Sequence, residues 1–367
     1  MKVVVLGTRG IPDIQGGVET HCQELYPRLV RLGCEVHLIT RKPYIKNLYI
    51  KEYNGVNLHH IFAPKKKSLE AIIHTFLGIL YAKKINPDIL HIHAIGPSLL
   101  VPLAKLLGLK LVVTNHGPDY NRQKWGKLAK FMLRLGERLG TKYADKVIVI
   151  SNVIKKILEE KYKRKDTELI FNGVTLPQKA KTTDFIKSLN LEPKKYIIAV
   201  GRFVEEKGFH DLINAYSKLN TDIKLVLVGD ADHETNYSKN LKKLADENEV
   251  IRTGIIKGSK LNEIFTHALL FVMPSYHEGL PIALLEAMSY DLDVLVSNIP
   301  PNLELNLGKE NYFKVGDIEN LKLKLEYKLN NPILNKDWSQ FLEKYNWDII
   351  AEQTLKVYKK ILKGEKR

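Results

Sequence analysis

The chain predicts an α/β protein built from two doubly wound parallel sheets. Three observations carry this. Short, wholly apolar strand runs alternate with helix-length segments. The alternation stops near residue 175 and begins again, and 367 residues exceed what one ordinary core holds.

Taken in order, VVVLG (3–7) is a buried strand that runs into a Gly-rich loop, Thr8 to Gly17. A helix over about Val18 to Leu32 follows, with Gly33 as its C-terminal cap. Strands are then expected at 35–40, 56–61, 89–93, 111–116 and 146–151, with helices near 68–84, 97–108 and 126–143. The polar stretch NGVTLPQKAKTTD, beginning at Asn172, reads as a linker. A second series has strands at 196–201, 224–229, 250–254, 269–274 and 293–297, each ending in Gly, Pro or Ser. The last helix, from about Trp347 to Leu362, places Ile350, Leu355, Tyr358 and Leu362 near helical spacing. The expected divisions are 1–175, 176–345 and a closing segment 346–367. Ligands of such sheets gather outside the carboxyl ends of the strands, so two facing domains would put their loops around one cleft.

Composition narrows the class. Hydrophobic residues make up 44% and charged residues 27%, which fits a folded soluble protein and excludes a disordered one. Cys22 and Cys34 offer neither a disulfide framework nor a metal-ligand cluster, and read as core residues of a reduced compartment. No apolar run reaches bilayer length, and MKVVVLG is too short for a signal peptide. The expected location is therefore cytoplasmic. The net charge of +16 is lopsided: residues 1–175 carry 29 Lys and Arg against 14 Asp and Glu, whereas 176–367 carry 28 against 27. A basic first half faces something acidic, either nucleic acid or an anionic membrane. No helix-turn-helix, zinc or RNA-binding signature supports nucleic acid. The segment Arg122 to Lys142 sets Lys124, Lys127, Arg134, Arg138 and Lys142 at mainly three- and four-residue steps. Trp125, Leu128, Met132, Leu135 and Leu139 form the other stripe, by which the helix is expected to pack on its sheet. Lys65, Lys66, Lys67, Lys83 and Lys84 share this domain. Together they suggest peripheral docking on the inner face of the membrane.

The chemistry gathers in PSYHEGLPIALLEAMSYDLDVLVSN (274–298). Pro281 suits the first position of a helix that continues to Ser289 and is apolar nearly all round. Glu286 is an odd carboxylate for such a helix, and Glu278 precedes it in the loop. The first-turn N–H groups of Ile282, Ala283 and Leu284 would form an anion site. In GRFVEEKG (201–208), Arg202 and Lys207 flank an acidic bend just after a strand. The bland readings are a buried ion pair for Glu286 and solvated surface positions for Glu278 and Lys207. In TRGIPDIQGGVETH (8–21) the dinucleotide fingerprint is missing, but Gly16 and Gly17 permit close backbone approach at a helix N-terminus. His116 ends a strand on the ligand side, whereas His91 and His93, inside another strand, read as structural.

These stretches resemble the retaining glycosyltransferases of family 4, which have the GT-B fold and include sucrose synthase-like and mannosyltransferase enzymes. The loop at 8–21 resembles that of bacterial polysaccharide-cluster members, rhamnosyltransferase-like enzymes among them. The resemblance implies two Rossmann-like domains, with the acceptor on the first, the nucleotide-sugar on the second, and the C-terminal helix crossing back to the first. It implies that Glu278 meets the transferred sugar and that Gly279, Leu280 and Pro281 meet sugar and phosphate by their backbone. It further implies that Glu286 holds the ribose hydroxyls, Arg202 and Lys207 the donor diphosphate, His116 the sugar near its reacting carbon, and Ile256 the base. Two departures stand out: YDLDVLVSN lacks the usual Gly and Pro before the strand, and LVGDAD lacks a second Gly.

The expected activity is therefore hexosyl transfer from a nucleotide-diphosphate-sugar to an acceptor hydroxyl, sugar or lipid-linked, in polysaccharide or glycolipid assembly. No cofactor and no metal are expected, since Arg202, Lys207 and a helix N-terminus would supply the positive charge at the leaving diphosphate. Two rivals are a dinucleotide-binding oxidoreductase, which would need the missing fingerprint, and a non-catalytic nucleic-acid-binding protein, which would leave the carboxylates and the Arg202–Lys207 pair unexplained.

Overall fold

A computed structural model describes residues 1–14, 16–64, 70–121, 125–231, 233–279 and 281–364. Two compact units emerge, Met1–Gly173 with Lys344–Arg367, and Val174–Glu343.

The first unit holds an eight-stranded sheet: β1 (Lys2–Leu6), β2 (Glu35–Arg41), β3 (Glu52–Tyr53), β4 (Val56–Ile61), β5 (Ile89–His93), β6 (Leu111–Asn115), β7 (Lys146–Val149) and β8 (Thr167–Leu169). Their order is β3-β4-β2-β1-β5-β6-β7-β8, parallel throughout except for the short β3–β4 hairpin. The central strands β5, β6 and β7 are buried along their whole length, as expected of a parallel sheet covered on both faces. The second unit has six parallel strands: β9 (Tyr196–Val200), β10 (Lys224–Val228), β11 (Ile251–Gly254), β12 (Leu270–Met273), β13 (Asp293–Ser297) and β14 (Tyr312–Phe313). Their order is β11-β10-β9-β12-β13-β14. Both units are Rossmann-like, and the topological switch in the second lies between β9 and β12.

The closing helix Trp347–Leu362 packs into the core of the first unit. Trp347, Ile350, Ala351, Val357, Tyr358 and Ile361 join a cluster with Val3, Val5, Tyr26 and Leu29. Its buried stripe is thus Trp347, Ile350, Thr354, Val357, Tyr358 and Ile361, with Leu355 at the margin and Leu362 outside, 36% exposed. The Asn346 side chain caps its first turn, accepting from Asp348 N–H at 2.8 Å.

The helix Lys127–Tyr143 corrects an expectation. It rests most closely on its neighbours through Gly136, Glu137, Gly140 and Thr141, while Met132, Leu135 and Leu139 of the expected stripe are half-buried and Leu128 is exposed. A Cβ on Gly136 would stand 2.1 Å from the Ile95 carbonyl oxygen, and one on Gly140 2.8 Å from the Ser98 Cβ. Glu137, buried, accepts from Tyr120 Oη at 3.1 Å and Tyr162 Oη at 2.8 Å. That close seating turns Leu128 (76% exposed) and Phe131 (60%) outward, among the exposed Lys127, Arg134, Arg138 and Lys142. Lys65, Lys66, Lys67 and Lys124 lie outside the described residues, so the basic patch stands here on its other members.

Candidate functional site

In the second unit the carboxyl ends of β9, β10, β11 and β12 lie along one sheet edge, and glycines draw their loops together. Gly208 adopts φ +65°, and a Cβ there would stand 2.2 Å from the Pro274 carbonyl oxygen. Gly229, at φ +129°, is similarly pressed against the Gly201 carbonyl, 2.0 Å from where its Cβ would be. Only glycine tolerates both the backbone conformation and the approach. Tyr276 N–H donates to the Glu206 carbonyl at 2.8 Å, which ties the loop after β12 to the loop after β9.

This seam brings two predicted residues together. Lys207 Nζ donates to Glu278 Oε1 at 2.6 Å, with only 20% and 11% of the two side chains exposed. Burial pushes the Glu278 carboxyl up, but the Lys207 ammonium, aided by Ser275 and His277, holds it below the usual carboxylate range. The Lys207 stem lies over Gly201, its Cε 3.4 Å from where a Cβ would be. Arg202 sits half-buried in the same loop, two residues past the end of β9. Neither Lys207 nor Glu278 is the freely solvated residue that a bland reading expects.

The helix after β12 runs Ile282–Ser289. Pro281 is the residue just before its first turn rather than the first residue within it. Leu284 N–H is not open to an anion: it donates to the Pro281 carbonyl at 3.0 Å, alongside Leu285 N–H at 3.2 Å. Among the described residues, the N–H groups of Ile282 and Ala283 are the ones left for a ligand. Leu284, Leu285, Ala287 and Met288 are buried, while Ile282, Ala283 and Glu286 share the face that is not fully covered. On that face the Glu286 carboxylate has no hydrogen-bond partner among the described residues. Burial raises its pKa to about 7. Gly279 is half-buried, and Leu280 is outside the described residues. Ile256, half-buried, follows β11, whose loop is joined to that of β10 by Gly229 N–H donating to Gly254 O at 3.0 Å.

In the first unit Gly16, at φ +151°, precedes the helix Gly17–Arg31 that Gly17 opens. The loop there is already charged. The buried Glu19 Oε1 accepts from Arg9 N–H at 3.0 Å and from Arg9 Nε at 3.2 Å. At this φ a side chain would be strained, and a Cβ on Gly16 would stand 2.0 Å from Glu19 Oε2.

His116, one residue past β6, meets partners that sequence reasoning missed. His93 Nδ1 lies 2.9 Å from His116 Nε2, and the His21 ring packs edge-on at 5.0 Å. His93 also contacts the Tyr26 hydroxyl, and His91 reaches Tyr358 Oη at 2.6 Å and Thr114 Oγ1 at 2.7 Å. The signal was present for the strand residues. His91 and His93 share one face of β5, and β6 pairs with β5 so that His93 stands opposite Thr114, two before His116. His21 comes from a helix far away in sequence, and nothing local marks it.

Two family models match the chain, "Glycosyltransferase Family 4" over residues 15–177 and "Glycosyl transferases group 1" over residues 180–345. The chain is a family 4-like glycosyltransferase of the GT-B fold. This glycosyltransferase is 26% identical to an uncharacterised glycosyltransferase of Methanocaldococcus jannaschii, covering 98% of each chain. It is also 26% identical to a capsular polysaccharide biosynthesis glycosyltransferase of Staphylococcus aureus, over 73% of each. Among solved structures, sucrose-phosphate synthase of Thermosynechococcus elongatus superposes with TM-score 0.85 at 21% identity, covering 99% of both chains. HepE of Anabaena, crystallised with UDP-glucose, gives 0.80 at 17% identity over 98% of this chain and 99% of its own.

Proposed function

We propose that this glycosyltransferase is a retaining enzyme that moves a hexose from a nucleotide-diphosphate-sugar to an acceptor hydroxyl in polysaccharide or glycolipid assembly. The observation that carries the reading is the pairing of Lys207 with Glu278, with the unpartnered Glu286 in the helix that follows, on the sheet edge where doubly wound folds take ligands. The pair places a cation for a diphosphate and a carboxylate for a sugar within one contact, and Glu286 offers two free oxygens to a ribose. The UDP-glucose bound by HepE supports a nucleotide-sugar donor, and the capsular relative supports a polysaccharide setting.

In this mechanism the bond between the sugar C1 and the diphosphate oxygen breaks, while the acceptor oxygen bonds to C1 on the same face. The acceptor proton passes to the departing phosphate oxygen. Arg202, Lys207 and the open N–H groups of Ile282 and Ala283 stabilise the growing negative charge. Those cations belong to the protein, so the donor needs no divalent metal, and turnover should survive EDTA. His116 would contact the sugar, and Ile256 the base. The basic first unit would hold the enzyme at an anionic membrane that carries a lipid-linked acceptor.

The test is a thermal-shift screen of UDP-, GDP-, dTDP- and ADP-sugars. A donor at 100 times its Kd adds about 2.7 kcal/mol, a clear rise in melting temperature. If NAD or oligonucleotides stabilise the protein and no nucleotide-sugar does, the reading fails.

A further inference from the structure

We propose that His21, His93 and His116 form a buried binding site for one divalent transition-metal ion, with Zn2+ the best fit; it rests on the histidine cluster and shares His116 with the sugar-transfer reading. One ring nitrogen from each of His21, His93 and His116 lies within 4.8 Å of the other two, and His93 Nδ1 stands 2.9 Å from His116 Nε2. A tetrahedral zinc site with Zn–N bonds of 2.0–2.1 Å separates its nitrogens by about 3.3 Å, so small ring movements close the set. Imidazole nitrogens without carboxylates favour Zn2+, Cu2+ or Ni2+ over Mg2+ or Ca2+. Three protein ligands leave a fourth position for water, and His116, the least covered of the three, marks the way in.

The decisive detail is His21. Its Nδ1 lies 2.7 Å from Asn172 Oδ1, which can only accept, so the proton sits on Nδ1 and Nε2 carries a bare lone pair. That Nε2 is buried with no hydrogen-bond partner, while His21 as a whole is 3% exposed. An orphaned buried acceptor is destabilising, and a metal would satisfy it. The arrangement around it is that of a prepared ligand, because metal-binding imidazoles ordinarily give their other N–H to an oxygen acceptor. His93 is oriented in the same way by Tyr26 Oη at its Nε2. On binding, the proton shared between His93 Nδ1 and His116 Nε2 moves to His116 Nδ1, which frees both lone pairs.

The experiment titrates chelator-treated, tag-free, full-length protein with Zn2+ in competition with a chromophoric chelator. One equivalent per chain is expected at sub-micromolar Kd, with Co2+ giving the visible absorption of a four-coordinate nitrogen site. His21→Ala should weaken Zn2+ at least a hundredfold. Asn172→Leu, which leaves all three ligands in place, should weaken it about 10–100-fold. Cu2+ gives a second readout by quenching the fluorescence of Trp347, whose ring lies 5.5 Å from that of His21. Circular dichroism verifies that each variant is folded, and if His21→Ala fails to fold, the Asn172→Leu affinity decides. Less than half an equivalent bound, or Zn2+ affinity unaltered in folded His21→Ala or Asn172→Leu, overturns the site.

Discussion

At the scale of single residues, Lys207 and Glu278 serve stability and turnover at once, and the two can be separated. Lys207→Ala strands a buried carboxylate, which costs about 3–5 kcal/mol when one partner of such a pair is removed. The same change removes a cation from the leaving group, so kcat should fall about a hundredfold. Adding Glu278→Gln should restore most of the urea midpoint and none of the turnover. A double variant as active as the parent would leave Lys207 with no role at the diphosphate. Glu286 makes the opposite bargain with pH. Its folded pKa of about 7 lies above that of the unfolded chain, so between the two the native state holds a proton that the unfolded state has lost. Stability from this group therefore falls as pH rises toward 7, and the penalty is complete above it. Glu286→Gln should melt with the parent at pH 5 and be more stable by about 1–3 kcal/mol at pH 8. Nucleotide affinity, measured by calorimetry, should drop in that variant. The two carboxylates and Lys207 were legible because each sits at a fixed spacing within one short stretch. His21 was not, since its partners arrive from β5 and the residue beyond β6.

At the scale of elements, the parallel strands were legible because burial on both faces makes them continuous apolar runs. β3 and β14, two residues each, and β8, three, were too short to carry any period. The helix Lys127–Tyr143 was found, but its buried side was misjudged. Hydrophobic spacing names a stripe, whereas here Gly136 and Gly140 allow so close an approach that the glycine face wins. Gly136→Ala should thus destabilise by about 1–3 kcal/mol in urea unfolding, although alanine in an open helix would add about 1 kcal/mol. The outward face, with Leu128 and Phe131 among basic side chains, has the composition of a helix that lies in a lipid interface. Sedimentation with anionic vesicles should show binding that falls as salt rises. Lys127→Glu with Arg134→Glu should abolish it, and Phe131→Ser should weaken it at every salt concentration. Protein that stays in the supernatant at low salt would point to a soluble acceptor.

At the scale of the whole molecule, two successive α/β series announced two units, and the resemblance supplied the return of the last helix to the first. That helix is structural: Val357, Tyr358 and Ile361 lie within the first unit's core, and Tyr358 bonds His91. Deleting residues 347–364 should cost the first unit its cooperative transition in calorimetry and leave that of the second, which has a core of its own. A truncated chain that still shows both transitions would make the helix an ornament.

The same connectivity sets a timetable during synthesis. The first unit's strands emerge from the ribosome by Gly173, yet the helix that completes its core ends at Leu362. At 5–20 residues per second the intervening chain takes about 10–40 s to make. Through that interval the pocket for Trp347, Ile350 and Tyr358 stands open while the second unit is made and folds. The nascent protein thus carries an unfilled apolar groove until the helix Trp347–Leu362 is made.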